Sequence, residues 1–359
     1  MQSTANPVEY NREYKKGRKM SSISVLYDEY KTLDGSYKTL IKQVGDGSII
    51  KRFDLTPYPE KPEDIVCPHY LELKWAIGCP FNCAWCYLQG TLRLQARKKL
   101  PTWKFVTSDK YDINRYDKIE THVKRFFRAP TFENEVLNTG ELADSLMGEK
   151  LEKPFSKFII PLFETQTKHK VLFLSKSDYI KNLLEIDSHN QAIMSFSLNS
   201  YKVANRWEKG APPVERRIEA ASTLYNYGYT VRIRIDPIVP WPSSWKADYK
   251  QLIDNIFSKF TPERITLGSL RGLTTTIMHA RDKSWVNFLS ESSKWGRRIK
   301  FDKRKETFSE LINYLEEQYD YRKIALCKEP RMMWELLGLN WRKCKCNCRG
   351  GGDPEHHRA

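Results

Sequence analysis

Three cysteines, Cys79, Cys83 and Cys86, fall within the stretch WAIGCPFNCAWCYLQGT. Thiolates are soft ligands suited to iron–sulfur clusters, which are usually held by four of them. Three on one short loop leave one iron open to a small chelating molecule. Gly78 and Pro80 favour an irregular loop able to wrap a cluster. Phe81 and Trp85 are placed to shield it from water. The alternative is zinc, which takes four ligands, commonly in CxxC pairs. No partner pair lies nearby, although Cys67 and His69 would complete such a site. The CxxxCxxC spacing directly after an apolar run favours the cluster.

Cys327, Cys344, Cys346 and Cys348 form a second group, enough to hold an auxiliary cluster or a zinc ion. If the last three are extended, their alternation points them to one side. The competing reading is free thiols near a frayed end. No cysteine occurs between Cys86 and Cys327, and such clustering reads as metal binding rather than a disulfide framework.

These loops need a scaffold. Strand-like runs recur at Leu71–Ile77, Glu135–Asn138, Val171–Leu174, Ala192–Leu198, Thr230–Ile235 and Arg264–Leu267. Helical runs lie between them at Pro154–Lys168, Asp178–Ile186, Pro213–Tyr227 and Tyr249–Phe260, with another at Thr307–Tyr319. Strands separated by helices imply a parallel sheet with right-handed crossovers. The expected fold is α/β, a partial (β/α)6 TIM-type barrel with N- and C-terminal extensions. Residues 1–66 would form a basic arm and small strand-rich extension, and 67–270 the barrel. Residues 271–359 would form a basic extension with the cysteine group and a disordered tail. In such barrels chemistry sits just past the strands' C-terminal ends.

The chain has 359 residues and a formal charge of +16. That surplus suits a polyanion, nucleic acid first. The basic residues concentrate at Arg12, Lys15, Lys16, Arg18 and Lys19, and again around Arg297, Arg298, Lys300, Lys303, Arg304 and Lys305, with Arg342, Lys343, Lys345 and Arg349 beyond. Neither a membrane span nor a secretory signal is recognisable, so a cytoplasmic location is expected.

The stretches GCPFNCAWCYLQ, FLSKSDYI and MSFSLNSYKVANRWEKGAPPVERRIEAA resemble the radical S-adenosylmethionine superfamily. Within it they resemble the spore photoproduct lyase family, which repairs a methylene-linked thymine dimer in DNA. The resemblance runs from about Cys67 to Pro240. It implies a [4Fe–4S] cluster on Cys79, Cys83 and Cys86, with S-adenosylmethionine on the open iron. It also implies a 5′-deoxyadenosyl radical, DNA or a nucleotide-like substrate, and an electron donor such as flavodoxin or ferredoxin. By position, Gly140 and Glu141 would meet the methionyl ammonium, Lys176 the methionyl carboxylate, and Ser197 and Asn199 the methionyl or ribose portion. Each has a plainer reading. Glu141 and Asp144 would cap a helix, Lys176 would be solvated, and Ser197 and Asn199 would satisfy local backbone. The chain also departs from the pattern. The family's hydrogen-returning cysteine has no counterpart in NTGELADSLMG, and a neighbouring tyrosine pair falls on Trp85 and Tyr87. Tyr87 is then the nearest aromatic candidate for the hydrogen donor; the alternatives are that it only packs against the barrel, or that the substrate needs no protein donor. The rival functions are a radical enzyme acting on a peptide or metabolite, and a zinc-stabilised, non-enzymatic nucleic-acid-binding protein.

Overall fold

Alternation of side chains along the parallel strands dictates how the sheet packs. In Ala192–Leu198, Ala192, Met194, Phe196 and Leu198 point one way and join the main core, while Ser195 and Ser197 point the other. Thr230–Ile238 repeats this: Val231, Ile233 and Ile235 enter the core, and Arg232, Arg234 and Asp236 alternate with them. The apolar face receives helices such as Val214–Asn226, whose Val214, Ile218, Ala221 and Leu224 recur at helical spacing and are buried. Burying each large apolar side chain contributes roughly 1.5–3 kcal/mol. Pro213 precedes that helix, and Gly228, at φ +100°, ends it while Tyr229 N bonds back to Leu224 O at 3.0 Å. The polar face is left to line an interior.

The computed structural model describes residues 23–90, 104–107, 111–131, 133–294 and 296–350. The basic arm expected over the first twenty residues, and the tail from residue 351, lie outside the described residues.

Ten strands form one sheet, neighbouring in chain order. They are β1 (Val25–Lys31), β2 (Tyr37–Val44), β3 (Ile50–Phe53), β4 (Tyr70–Leu73), β5 (Val136–Asn138), β6 (Lys170–Ser175), β7 (Ala192–Leu198), β8 (Thr230–Ile238), β9 (Ile265–Ser269) and β10 (Ile324–Leu326). Pairing is antiparallel from β1 to β4 and parallel from β4 to β10. Strands stand at all six expected places, although the one expected over Leu71–Ile77 ends at Leu73 and Ala76–Gly78 pairs instead with Tyr111–Asn114 in a small separate sheet; the parallel α/β architecture follows from the six. β10 adds a seventh parallel strand, short enough to escape a reading by periodicity. The first three strands continue the same sheet from its β4 edge.

Four helical expectations are corrected: Pro154–Lys168 is helical only over Phe155–Phe163, and the helix expected at Tyr249–Phe260 spans Trp245–Phe257. Asp178–Ile186 forms only a short 3₁₀ turn, Leu183–Glu185. Side chains there compete for the backbone: Ser175 Oγ accepts from Ser177 N at 2.8 Å, and Ser177 Oγ from Tyr179 N at 3.1 Å. The helix expected at Thr307–Tyr319 spans Phe301–Tyr319. Part of the second basic cluster is also spent internally. Arg304 is buried, donating to Glu329 Oε2 at 3.1 Å and Glu291 Oε1 at 3.2 Å, and Arg298 pairs with Glu291 at 2.9 Å. Arg297 and Lys300 remain exposed. Among the described residues no helix is long and apolar enough to cross a membrane.

Candidate functional site

The cysteine loop leaves the sheet at the C-terminal end of β4. Gly78 takes φ +110°, a turn that favours glycine, and its N–H reaches Leu142 O at 2.8 Å. Asn82–Cys83 then pair antiparallel with Glu208–Lys209, and Ala84 N donates to Trp207 O at 2.8 Å. Gln89 ties the turn from inside, its amide reaching Cys83 O at 2.9 Å and Ala84 O at 3.0 Å. Trp85 is buried against Trp207 at 5.8 Å between ring centroids. The loop is thus clamped to the segment that follows β7 and its helix.

The loop's three thiols bear on one another electrostatically. Burial raises the pKa of each; for Cys79, Asp144 adds to the rise, whereas for Cys83 Lys176 opposes it. A cationic metal centre inverts that tendency by deprotonating its thiols. Among the described residues no three His, Cys, Asp or Glu side chains stand at the spacing of a single ion's ligands. Three thiols on one short loop are the donor type that iron–sulfur clusters take. The zinc completion by Cys67 and His69 is not assembled. His69 Nε2 lies 2.7 Å from Thr56 O, and the thiols bearing on Cys67 are Cys346 and Cys327.

Past β5, Gly140 sits where a Cβ would come 2.5 Å from Leu174 Cβ, so only glycine fits the approach to β6. Gly140 N is held by Asn138 Oδ1 at 2.9 Å, and Thr139 Oγ1 donates to Leu172 O at 2.8 Å. No helix follows, so the capping reading of Glu141 and Asp144 falls. Asp144 instead clamps the next strand end: it accepts from Ser175 Oγ at 2.7 Å, Lys176 N at 2.8 Å and Leu146 N at 3.0 Å. The Glu141 carboxylate has no hydrogen bond or ion pair among the described residues. Its charge raises the pKa of Tyr87, Tyr70, Cys67 and Cys348.

Lys176 is not solvated. Its Nζ donates to Ser197 Oγ at 2.5 Å and faces Glu208 Oε1 at 3.5 Å. Glu208 is fully buried and receives Arg217 Nη1 on its other oxygen at 2.6 Å, while Arg217 also holds Ser197 O at 3.1 Å. Burial works to raise the Glu208 pKa, but the Lys176 and Arg217 charges outweigh it and hold the pKa below its ordinary value. Glu208 Oε1 keeps no hydrogen-bond partner. Glu208 and Arg217 were missed from sequence, although both lie in the long stretch that carries the resemblance. Asn199 is differently placed. It is fully buried, donating to Pro237 O at 2.8 Å and accepting from Tyr249 OH at 2.6 Å and Ser200 N at 2.9 Å. Those bonds match its plainer, structural reading. Tyr87 is half-buried; burial raises its pKa, and Glu141, Cys86 and Glu72 add to the rise while Arg234 opposes it.

A parallel sheet with a three-cysteine loop after its first parallel strand and a lysine past the third defines a radical S-adenosylmethionine fold. The family model for spore photoproduct lyase matches residues 69–270, and the chain belongs to that family. The spore photoproduct lyases of Bacillus subtilis and Clostridium acetobutylicum are each 24% identical to it, over 184 and 182 residues. Both alignments cover 51% of this chain and 50% of the relative, so the chain spans about half the length of the curated relatives it matches. A solved spore photoproduct lyase complexed with dinucleoside spore photoproduct is similar in fold, with TM-score 0.58 and 18% identity, over 71% of this chain and 75% of that one. A mutant of that enzyme with bound AdoMet and the same dinucleoside has the same TM-score.

Proposed function

We propose that this chain is a radical S-adenosylmethionine enzyme acting on a base lesion, or a base to be modified, in DNA. The observation that carries the reading is the Cys79, Cys83 and Cys86 loop at the C-terminal end of β4, with Cys83 buried and the other two half-buried, inside the region matched by the family model. When bound, the [4Fe–4S] cluster and S-adenosylmethionine would supply a 5′-deoxyadenosyl radical that abstracts hydrogen from substrate. This chain's residues bind and orient. Glu141, past β5 and without an ion pair among the described residues, accepts the methionyl ammonium by a charge-assisted bond. Lys176 exchanges its weak contact with Glu208 for the methionyl carboxylate, with Ser197 beside it. Gly140 lets that group approach closely, and Asn199 braces the wall. Trp85 and Trp207 exclude water.

Hydrogen return differs from that expected of the family. The loop from Asn138 to Gly148 carries no cysteine. Tyr87, next to Cys86 and half-buried, is the donor we assign. The relatives' binding of a dinucleoside photoproduct and the exposed Arg297 and Lys300 support DNA over a peptide. Electrons would come from a small carrier such as flavodoxin or ferredoxin. The test is anaerobic reconstitution with iron and sulfide. Reduced protein should turn brown and convert S-adenosylmethionine to 5′-deoxyadenosine and methionine, and Cys83→Ala should not. Undiminished cleavage by Cys83→Ala would overturn the assignment.

A further inference from the structure

The segment from Cys344 to Gly350 forms a strap across the polar face of the sheet, from β9 to β5. Thr266 Oγ1 donates to Asn347 Oδ1 at 2.7 Å, and Asn347 Nδ2 donates to Ser195 Oγ at 2.6 Å and Ile233 O at 3.2 Å. Buried Arg232 holds the carbonyls of Asn347 and Arg349, at 2.7 and 2.9 Å. Gly350 passes so close to the approach to β5 that a Cβ there would lie 3.0 Å from Asn134 O. The strap's main chain is thus fixed, and with it the point from which the Arg349 side chain starts.

A cavity of about 380 Å³ lies beside the strap, within the size range of small-molecule sites. Its wall is drawn from the β1–β2 hairpin, β3, the loop between β3 and β4, the approach to β5, and the strap itself. It touches β4 and β5 at their N-terminal ends, whereas the cysteine loop follows the C-terminal end of β4. No residue of that loop lines it.

Most of the charge on this wall is already matched. Lys38 Nζ pairs with Glu133 at 3.0 Å, and Lys31 Nζ with Glu60 at 2.7 Å. Arg52, buried beside the Tyr30 ring, donates to Glu135 and to Ile41 O, the latter at 2.7 Å. His69 Nε2 lies 2.7 Å from Thr56 O, and burial lowers its pKa, so the ring is neutral at pH 7. Two groups on the wall are left over. Arg349 is half-buried, and its guanidinium has no hydrogen bond or ion pair among the described residues. Thr56 is 2% exposed, and its Oγ1 has no hydrogen-bond partner among them. A buried hydroxyl without a partner is costly, and a fold retains one where something else satisfies it.

A guanidinium offers a fork of N–H donors and a hydroxyl offers one O–H, a combination that suits an oxyanion. The two lysine pairs on the same wall face water: the Glu60 side chain is 66% exposed and that of Glu133 36%. Such pairs hold weakly, so both ammoniums are free to share a second negative charge. That favours the dianion of a phosphate over a carboxylate. Leu33, Leu40 and Tyr58 supply apolar wall for the body of the molecule.

We propose that this cavity binds a small phosphate compound, free phosphate or a monoester, through Arg349 and Thr56, and that its occupancy fastens the strap. The site stands apart from the radical chemistry and does not rest on it.

The test is isothermal titration calorimetry on the full chain with inorganic phosphate, with ribose 5-phosphate, and with ribose as the uncharged control. Binding of ribose 5-phosphate above inorganic phosphate assigns a monoester; equal binding assigns free phosphate; both support the site. Arg349→Gln should weaken binding by about tenfold or more, the scale of a lost charged hydrogen bond. Thr56→Val keeps the shape and should weaken it several-fold. Should Thr56→Val fail to fold, Arg349→Lys keeps the charge without the fork and should fall between wild type and Arg349→Gln. With ligand bound, amide hydrogen exchange should slow at Asn347 to Gly350. Absence of phosphate binding, ribose binding as well as its phosphate, or wild-type affinity in Arg349→Gln, as scattered binding to a basic surface would give, overturns the site. Unchanged exchange in the strap with ligand bound overturns the fastening. Loss of S-adenosylmethionine cleavage in a chain that still binds phosphate would fault the proposed radical function alone.

Discussion

Glu208→Gln isolates what the buried carboxylate behind Lys176 does. Glu208 keeps no exposure, Arg217 about 1% and Lys176 16%. Glutamine preserves shape and removes the one negative charge between two cations. Breaking a buried pair by removing one partner costs about 3–5 kcal/mol, because the remaining charge stays uncompensated. The pH dependence follows from sign. The folded-state pKa of Glu208 lies below its ordinary 4.5, so its stabilisation is complete above that value and is lost as pH falls through the folded pKa. Wild type and Glu208→Gln should therefore differ by about 3–5 kcal/mol at pH 7.5 and converge on acidification below the ordinary glutamate range. Urea unfolding followed by far-ultraviolet circular dichroism at both pH values measures this. A gap at pH 7.5 under about 0.5 kcal/mol, the scale of an ordinary surface substitution, would refute the argument. So would a gap that stays constant into acid.

Three further outcomes are expected. Gly140→Ala should lower stability by about 1–3 kcal/mol through overpacking against Leu174 and weaken S-adenosylmethionine binding, read by urea melts and equilibrium dialysis. Glu141→Gln should leave the melt within about 0.5 kcal/mol of wild type, because the carboxylate has no partner to lose, while cofactor binding falls by at least about tenfold, since a charged hydrogen bond contributes about 1.5–3 kcal/mol. Tyr87→Phe should keep cofactor cleavage and, with a lesion-bearing oligonucleotide, lose repaired product to misreduced by-products; unchanged product yield would remove Tyr87 from hydrogen return.

The parallel sheet was legible because its signal is local. Runs such as AIMSFSL and TVRIRIDPI announce themselves within a handful of residues, and the following helices carry their own stops, as Gly228 does. The cysteine loop was legible for the same reason, since three thiolates within one turn constrain the chemistry they do. Elements without a period were not. β10 has three residues, and the turn at Leu183–Glu185 is settled by Ser175 and Ser177, whose hydroxyls compete for backbone donors. Charge type alone also misled. Arg304 sits in a run that reads as a basic patch, yet its guanidinium is buried between Glu291 and Glu329.

What sequence spacing could not carry is convergence across the fold. Arg217 stands on a helix whose composition reads as solvated, and only the return of Glu208 against Cys83 turns it inward. The C-terminal strap is the extreme case. CKCNC has no periodicity, and its extended alternation could put three thiols on either side. The side is decided by Asn347, whose amide finds Ser195, Ile233 and Thr266 on three different strands. An asparagine in a polar tail reads as solvent-facing, but in this interior it supplies the donor and acceptor that a polar sheet face lacks. With Asn347 inward, neighbouring residues follow: Cys346 is buried, and Cys348 lines the same cavity as Cys67, far away along the chain. The position of the thiols is therefore a consequence of the sheet's polar face, and the same Ser and Arg residues that leave that face uncovered by helices are what hold the strap in place.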